Sequence, residues 1–228
     1  YAIAQSMRAD VGGYKAVNQS LDLAQSTVDV GLAAGEAISD LMVEMKEKAL
    51  AASDSSLDSA SRGALNEDFE ALRDQIGTIV ENAEFNGKNL ISNGASAIEA
   101  LANPDGSNSI TIAAEDLSLT GSTLTIATTT SIDSVTDASN AASAIETSLD
   151  NLNSALARLG TGSKSLEVHK TFVGKLSDSL EQGIGNLVDA DLAKESARLQ
   201  SLQVKQQLGT QALSIANSAP SSILGYFR

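Results

Sequence analysis

His169 is the single histidine of the chain and cysteine is absent, so a zinc ion would find none of the Cys/His ligand sets that usually hold it. No His-Glu-x-x-His pair occurs, which removes helix-borne metalloprotease chemistry. His169 reads instead as a residue flanking a helical seam. Asp189, Asp191 and Glu195 are close enough in sequence to share a calcium ion, but the segment lacks the run of oxygen ligands and the glycine turn of a dedicated loop. Helix N-capping accounts for the two aspartates. Gly160-Thr161-Gly162 is not followed by Gly-Lys-Ser/Thr, so it is no phosphate loop, and a local weakness in a helix explains it. The hydroxyl-rich stretch from Ser118 to Thr136 suits either O-glycosylation or ordinary polar β-structure. No catalytic residue, cofactor site or metal site is expected.

Composition narrows the alternatives. The 228 residues are 42% hydrophobic but only 3% aromatic, without tryptophan, which predicts thin seams between helices in place of a broad aromatic core. A net charge of -14 opposes the phosphate backbone of nucleic acid, and no cluster of lysine or arginine offsets it. No apolar run reaches the roughly 18 residues of a membrane span. The absence of cysteine leaves the redox compartment open. The chain opens on Tyr1 without methionine, so an N-terminal piece, with any signal it held, is expected to have been removed.

The elements are legible from hydrophobic spacing. From Val135 to about Leu180, Ala138, Ala142, Ile145, Leu149, Leu152, Leu156, Leu159, Ser163, Leu166, Lys170 and Val173 recur at steps of three and four, the stripe of a long helix in a coiled-coil-like seam. A second such repeat, Ile3, Met7, Asp10, Tyr14, Val17, Leu21, Ala24, Val28, Gly31, Gly35, Ile38, Met42, Met45 and Ala49, makes residues 1 to about 52 one helix, with a bend allowed at Gly12-Gly13. Gly31 and Gly35 either admit a closely packed neighbour or are merely tolerated. Ser53-Asp54-Ser55-Ser56 stops that helix, and another starts near Asp58 or Ser59. The second helix ends before Phe85-Asn86-Gly87, a tight-turn signal.

Residues 92–133 lose the helical period. Short β-branched runs at Ile110 to Ala113 and Leu124 to Thr130, with turns at Asn103-Pro104-Asp105-Gly106 and Thr120-Gly121-Ser122, predict two to four short strands in hairpins. Such an insert is expected to carry few core contacts. Toward the C-terminus, Gly183, Gly185, Asp189 and Asp191 suggest a joint over 183–191 and a last helix from about Leu192 to Ala216, ended by Pro220. That helix is apolar on more than one face, with Leu199, Leu202 and Leu213 on one side and Val204, Leu208 and Ile215 on another. Such a helix must be buried by something; other subunits or a missing N-terminal segment are the expected cover. Ile223, Leu224, Tyr226 and Phe227 form an apolar tail.

This tail resembles that of bacterial flagellin. The resemblance rests on Asp189-Ala190-Asp191-Leu192-Ala193-Lys194-Glu195, Gln206-Gln207-Leu208-Gly209-Thr210, Ala216-Asn217-Ser218-Ala219-Pro220 and the closing Ile223-Leu224 to Phe227-Arg228. The stretch from Asp68 to Ile91, ending Glu84-Phe85-Asn86-Gly87-Lys88-Asn89-Leu90-Ile91, is similar to the second core helix of that family and the turn after it. The likeness covers about residues 1–91 and 134–228.

The resemblance implies a mainly α fold: a long antiparallel helical bundle or coiled-coil rod with a small β-rich insertion. Residues 1–91 would be the N-terminal part of the core domain, 92–133 a short variable outer insert, 134–184 the long C-terminal core helix and 185–228 the terminal-domain helix and tail. It implies a structural, non-enzymatic subunit of the bacterial flagellar filament, secreted through the flagellar export apparatus, with an export chaperone on the C-terminal segment. The expected polymerisation or chaperone contacts are Leu199, Leu202, Val204, Leu208, Leu213, Ile215, Ile223, Leu224 and Phe227. A Toll-like receptor senses many family members through the end of the first core helix. Here Glu44, Lys48 and Ala51 depart from the responsive pattern, which argues against recognition. Two rival readings are a hook-filament junction protein and a surface ligand-binding protein on the same scaffold; the turn from Phe85 to Ile91 favours a filament subunit over the first, and the insert's lack of aromatic or arginine anchors opposes the second.

Overall fold

A computed structural model describes residues 2–224, with side chains described through residue 216. The elements are α1 (Ala2–Ala52), α2 (Ser59–Asn82), β1 (Glu84–Phe85), β2 (Lys88–Asn89), β3 (Ile98–Leu101), β4 (Ser109–Ile112) and α3 (Val135–Leu224). They form two compact units, Gly12–Lys175 and Tyr1–Val11 with Leu176–Arg228.

In the larger unit the two long repeats meet. On α1, Val17, Leu21, Ala24, Val28, Ile38, Met42, Met45 and Ala49 are buried, alternating by three and four with Gly31 and Gly35 between them. On α3, Ala138, Ile145, Leu152, Leu159, Leu166 and Val173 are buried at successive heptad positions, the period that keeps one stripe facing a partner helix. Cross-helix contacts fix an antiparallel register: Asp22 with Lys170, Gln25 with Ser163, Gly31 with Leu159 and Gly35 with Leu156, and Lys46 with Glu146. Phe69, Ile76 and Val80 of α2 complete the core.

The local signals explain the boundaries. Asp58 caps α2, accepting from the backbone N–H of Ala60 and Ser61. Ser134 Oγ accepts from the N–H of Asp137 at 3.0 Å, opening α3. Asn86 and Gly87 adopt φ of 49° and 75°, the left-handed pair of a two-residue hairpin, joining β1 to β2.

Five expectations are corrected. The first turn of α1 buries Ala4 and leaves Ile3 at 68% exposure, one step off the predicted stripe. β3 and β4 pair antiparallel, with Ile98 opposite Ile112, but Leu124 to Thr130 forms no strand. It has a bridge from Leu119 to Leu124, and its other backbone groups are satisfied without a ladder: the N–H of Thr125 donates to Ser148 Oγ of α3 at 2.9 Å, the carbonyl of Ile126 accepts from the N–H of Thr120, and the N–H of Thr130 turns back onto the carbonyl of Ala127. The insert also has many core contacts: Leu117, Leu124, Ile126 and Ile132 are at most 1% exposed.

The fourth correction concerns the joint over 183–191, where α3 is unbroken. Glycine weakens a helix by about 1 kcal/mol but removes no hydrogen-bonding group, and Gly183 lies where a Cβ would meet Met7 Cε at 2.9 Å. Asp189 and Asp191 are therefore residues of the helix interior, not N-caps of a new helix. Pro220 does not end α3 either, since the helix closes one turn later at Leu224; proline has no N–H for the carbonyl of Ala216 but keeps a helical φ.

Candidate functional site

The residues with chemical potential occupy structural roles. His169 Nε2 lies 2.8 Å from the carbonyl oxygen of Ala102, and its ring lies 5.9 Å from that of Phe172. It thereby ties the strand-bearing insert to α3. Gly162 admits Ile112, whose Cδ1 would be 2.8 Å from an added Cβ, so the glycine there serves close packing within a continuous helix. Glu195 approaches Arg198 at 4.0 Å on the exposed surface of α3. Among the described residues, no group of three or more His, Cys, Asp or Glu is placed to hold a metal, and no helix is long and apolar enough to cross a membrane.

Two arginines that the sequence did not single out hold joints of the fold. Arg62 is 9% exposed and donates from Nε to the carbonyl of Ala52 at 2.9 Å, and from Nη2 to those of Asp54 at 2.9 Å and Leu57 at 3.1 Å. These are carbonyls at and after the end of α1, which a helix terminus leaves without partners. Arg158 forks onto Glu115, Nε to Oε1 at 2.6 Å and Nη2 to Oε2 at 2.7 Å, fastening the insert to α3 in bidentate geometry. An arginine inside a helical repeat reads as a solvated charge, so only the carbonyls and the carboxylate facing it disclose its role.

A run of exposed apolar side chains lies in the smaller unit. Leu199 and Leu202 are each 53% exposed, Val204 53%, Leu208 58%, Leu213 65% and Ile215 70%. The structure thus places six of the predicted contact residues on open helix surface, distributed around α3 as its spacing requires. The side chains of Ile223, Leu224 and Phe227 lie outside the described residues. In the same unit, a groove of about 810 Å³ runs beside Ile3, Ala4, Arg8, Leu187 and Leu192.

The sequence matches two family models, the bacterial flagellin N-terminal helical region over residues 1–96 and the C-terminal helical region over residues 142–227. It is 53% identical over 228 residues to flagellin FljM of Caulobacter vibrioides, covering 100% of this chain and 82% of that protein. The chain belongs to the bacterial flagellin family. A flagellin of Brucella melitensis is 34% identical over 237 residues, covering 100% of this flagellin and 83% of the relative. Among solved structures, Bacillus cereus flagellin superposes with a TM-score of 0.60 at 22% identity, over 68% of this chain and 88% of that one. A putative flagellar hook-associated protein from Vibrio parahaemolyticus superposes with a TM-score of 0.67 at 12% identity, over 81% and 96%. These two similarities establish the shared fold. The family gives the function: this flagellin is a structural subunit that self-assembles into the extracellular flagellar filament, the organelle of motility.

Proposed function

We propose that α3 from Leu199 to Ile215, with the tail through Ile223, Leu224 and Phe227, is the surface that joins subunits in the filament. Before assembly, an export chaperone covers it while the subunit passes through the flagellar export apparatus. The observation that carries this reading is the exposure of Leu199, Leu202, Val204, Leu208, Leu213 and Ile215, each at least 53% open. Burying one such side chain is worth about 1.5–3 kcal/mol, against which association entropy must be set. A helix apolar on several faces needs cover on several faces, which neighbouring subunits in a polymer supply. Charge supports the same surface. Beyond Glu195 the sequence has no acidic residue and carries Arg198, Lys205 and Arg228, whereas the whole chain has a net charge of -14, so this segment is attracted to the rest of another copy.

In this reading residues 1–91 and 134–184 are the core domain, 92–133 the outer insert and 185–228 the terminal element, and the subunit does no catalysis. The test is truncation of the full-length protein after Gly185, read by sedimentation and circular dichroism. The expected result is a folded subunit that no longer pellets as filaments and no longer binds the purified chaperone. Filaments of normal length from the truncated protein would overturn the assignment.

A further inference from the structure

We propose that Asn93 is a site of spontaneous covalent modification: with Gly94 it closes a succinimide ring in the folded subunit, which opens to isoaspartate and aspartate. The other Asn-Gly pair of the sequence, Asn86-Gly87, is held back by its turn. The proposal is independent of the C-terminal surface assigned above.

The reaction needs no partner beyond water. The backbone nitrogen of Gly94 attacks Asn93 Cγ and a C–N bond forms; the Cγ–Nδ2 bond breaks, and ammonia leaves with the proton that the backbone nitrogen gives up. Water then opens the ring. Breaking the original peptide bond gives isoaspartate, and breaking the new bond gives aspartate. Nothing is oxidised or reduced. Glycine as the following residue favours the attack, because it has no side chain beside its nitrogen and leaves the peptide the most freedom.

Both asparagines are exposed, so conformation decides between them. Asn93 and Gly94 are the central residues of a turn closed by the N–H of Ala95 on the carbonyl of Ser92 at 3.1 Å. Gly94 has φ of 71° while Asn93 keeps a negative φ, the pattern of a type II turn. Its central peptide flips to the type I form with that hydrogen bond intact, because only Gly94 has to change the sign of φ. β2 ends at Asn89 and β3 begins at Ile98, so no ladder constrains the rotation that brings Gly94 N toward Asn93 Cγ.

Asn86 differs. Its φ of 49° puts it in the left-handed region, where a ψ of about 30–60° turns Gly87 N to the side of the Cα–C bond opposite Cβ. Flipping the Asn86–Gly87 peptide would demand the II′ form, in which the first central position belongs to glycine. The hairpin resists as well: Glu84 pairs with Asn89 and Phe85 with Lys88, and Asn89 Nδ2 donates to the carbonyl of Val80 at 2.7 Å. Asp105-Gly106, which forms the same ring more slowly, is also restrained. There the Gly106 N–H donates to the carbonyl of Asn103 at 3.2 Å, and Asp105 Oδ1 accepts from Ser107.

The product is tolerated where it forms. The carbonyls of Leu90 and Ile91 hold the N–H groups of Glu115 and Leu117 at 3.0 and 2.9 Å before the turn, and the paired residues of β3 follow it. The extra main-chain atom of isoaspartate therefore falls between two anchored segments, outside either ladder.

The test is incubation of the full-length subunit at mildly alkaline pH, followed by trypsin. Cleavage after Arg73, Lys88 and Arg158 leaves Asn86 in residues 74–88 and Asn93 in residues 89–158, so the two sites are read separately. Mass spectrometry follows the exchange of amide for acid, and labelling by an isoaspartyl methyltransferase reports isoaspartate. In the native protein Asn93 is expected to react about tenfold faster than Asn86, equivalent to about 1.4 kcal/mol in barrier; in urea the two rates should converge. Asn93→Gln should remove most of the methyltransferase signal from native protein without changing its circular dichroism. Equal native rates, a faster Asn86, or no native reaction at Asn93 would overturn the site. A difference that persists in urea would place its cause in the flanking residues and overturn the role of the turns. The aged subunit is expected to melt with the parent, and a melting point that falls as isoaspartate accumulates in residues 89–158 would overturn the tolerance of the product.

Discussion

Leu156 of α3 occupies the space that a side chain on Gly35 of α1 would need: its Cδ2 would collide with an added Cβ, and its Cγ would stand only 3.4 Å away. Gly31, one turn earlier, is different, because a Cβ there would meet Ile91 Cγ2 at 3.5 Å, an ordinary contact. Close packing therefore requires the glycine at 35 and not the one at 31. Replacing a helical glycine by alanine gains up to about 1 kcal/mol, and overpacking a seam costs about 1–3 kcal/mol. Gly31→Ala should raise the urea midpoint, and Gly35→Ala should lower it. Equal rises in both would show that Leu156 swings aside without loss.

Arg62 bonds three backbone carbonyls at the turn between α1 and α2. An ammonium on a flexible stem cannot reproduce a planar fork, so Arg62→Lys should destabilise the fold by about 1–3 kcal/mol through carbonyls left unsatisfied. Denaturant titration checks the magnitude. Hydrogen exchange should show faster opening around Ser53 to Leu57 than in the α1–α3 seam.

Asp58 accepts hydrogen bonds from Ser61 and Ala60, and these hold its carboxyl below the ordinary value near 3.8. Asp54 is lowered by Ser56 and Asp105 by Ser107. A carboxyl depressed in the folded state binds its proton more readily when unfolded, so the stabilisation is complete above the unfolded value and is lost as pH falls through the folded one. Asn is a comparable N-cap without a titrating charge. Asp58→Asn should melt close to the parent at pH 7 and lose less than the parent between pH 5 and pH 2. An unchanged acid limb would remove Asp58 from the account.

Much of this fold was legible because the seams obey one rule, apolar residues every three or four positions, and Asp58 stands where local hydrogen bonding demands a helix start. Only the C-terminal part of α3 departs from the sequence reading, where local chemistry and helix continuity disagree. Gly183, Gly185 and Asp189 each favour a break taken singly, yet each leaves backbone bonding intact, so the helix runs on. The exposed face from Leu199 to Ile215 could be read from the sequence, because apolar residues all round a helix are a signal in themselves. Arg158 could not, since nothing in the spacing shows that Glu115, forty-three residues earlier, returns to meet it.

The insert offers a sharper test of that reading. A stretch rich in serine and threonine invites the expectation that it can be removed, but Leu117, Leu124 and Ile126 are at most 1% exposed and belong to the same core as α1 and α3. Each such side chain is worth about 1.5–3 kcal/mol when buried, so losing these residues together is comparable to the roughly 5–15 kcal/mol that keeps a domain folded. Replacing Asn103 to Thr129 by a short Gly/Ser linker would also remove Glu115, leaving Arg158 without its carboxylate, and would withdraw Ile112 from Gly162. The expected outcome is loss of the cooperative melt, with helical circular dichroism persisting only at low temperature. Leu117→Ala alone should lower stability by about 2–5 kcal/mol. A cooperative melt in the linker variant within a few degrees of the parent would show that the helices form their core without the insert, and the joint core described here would be wrong.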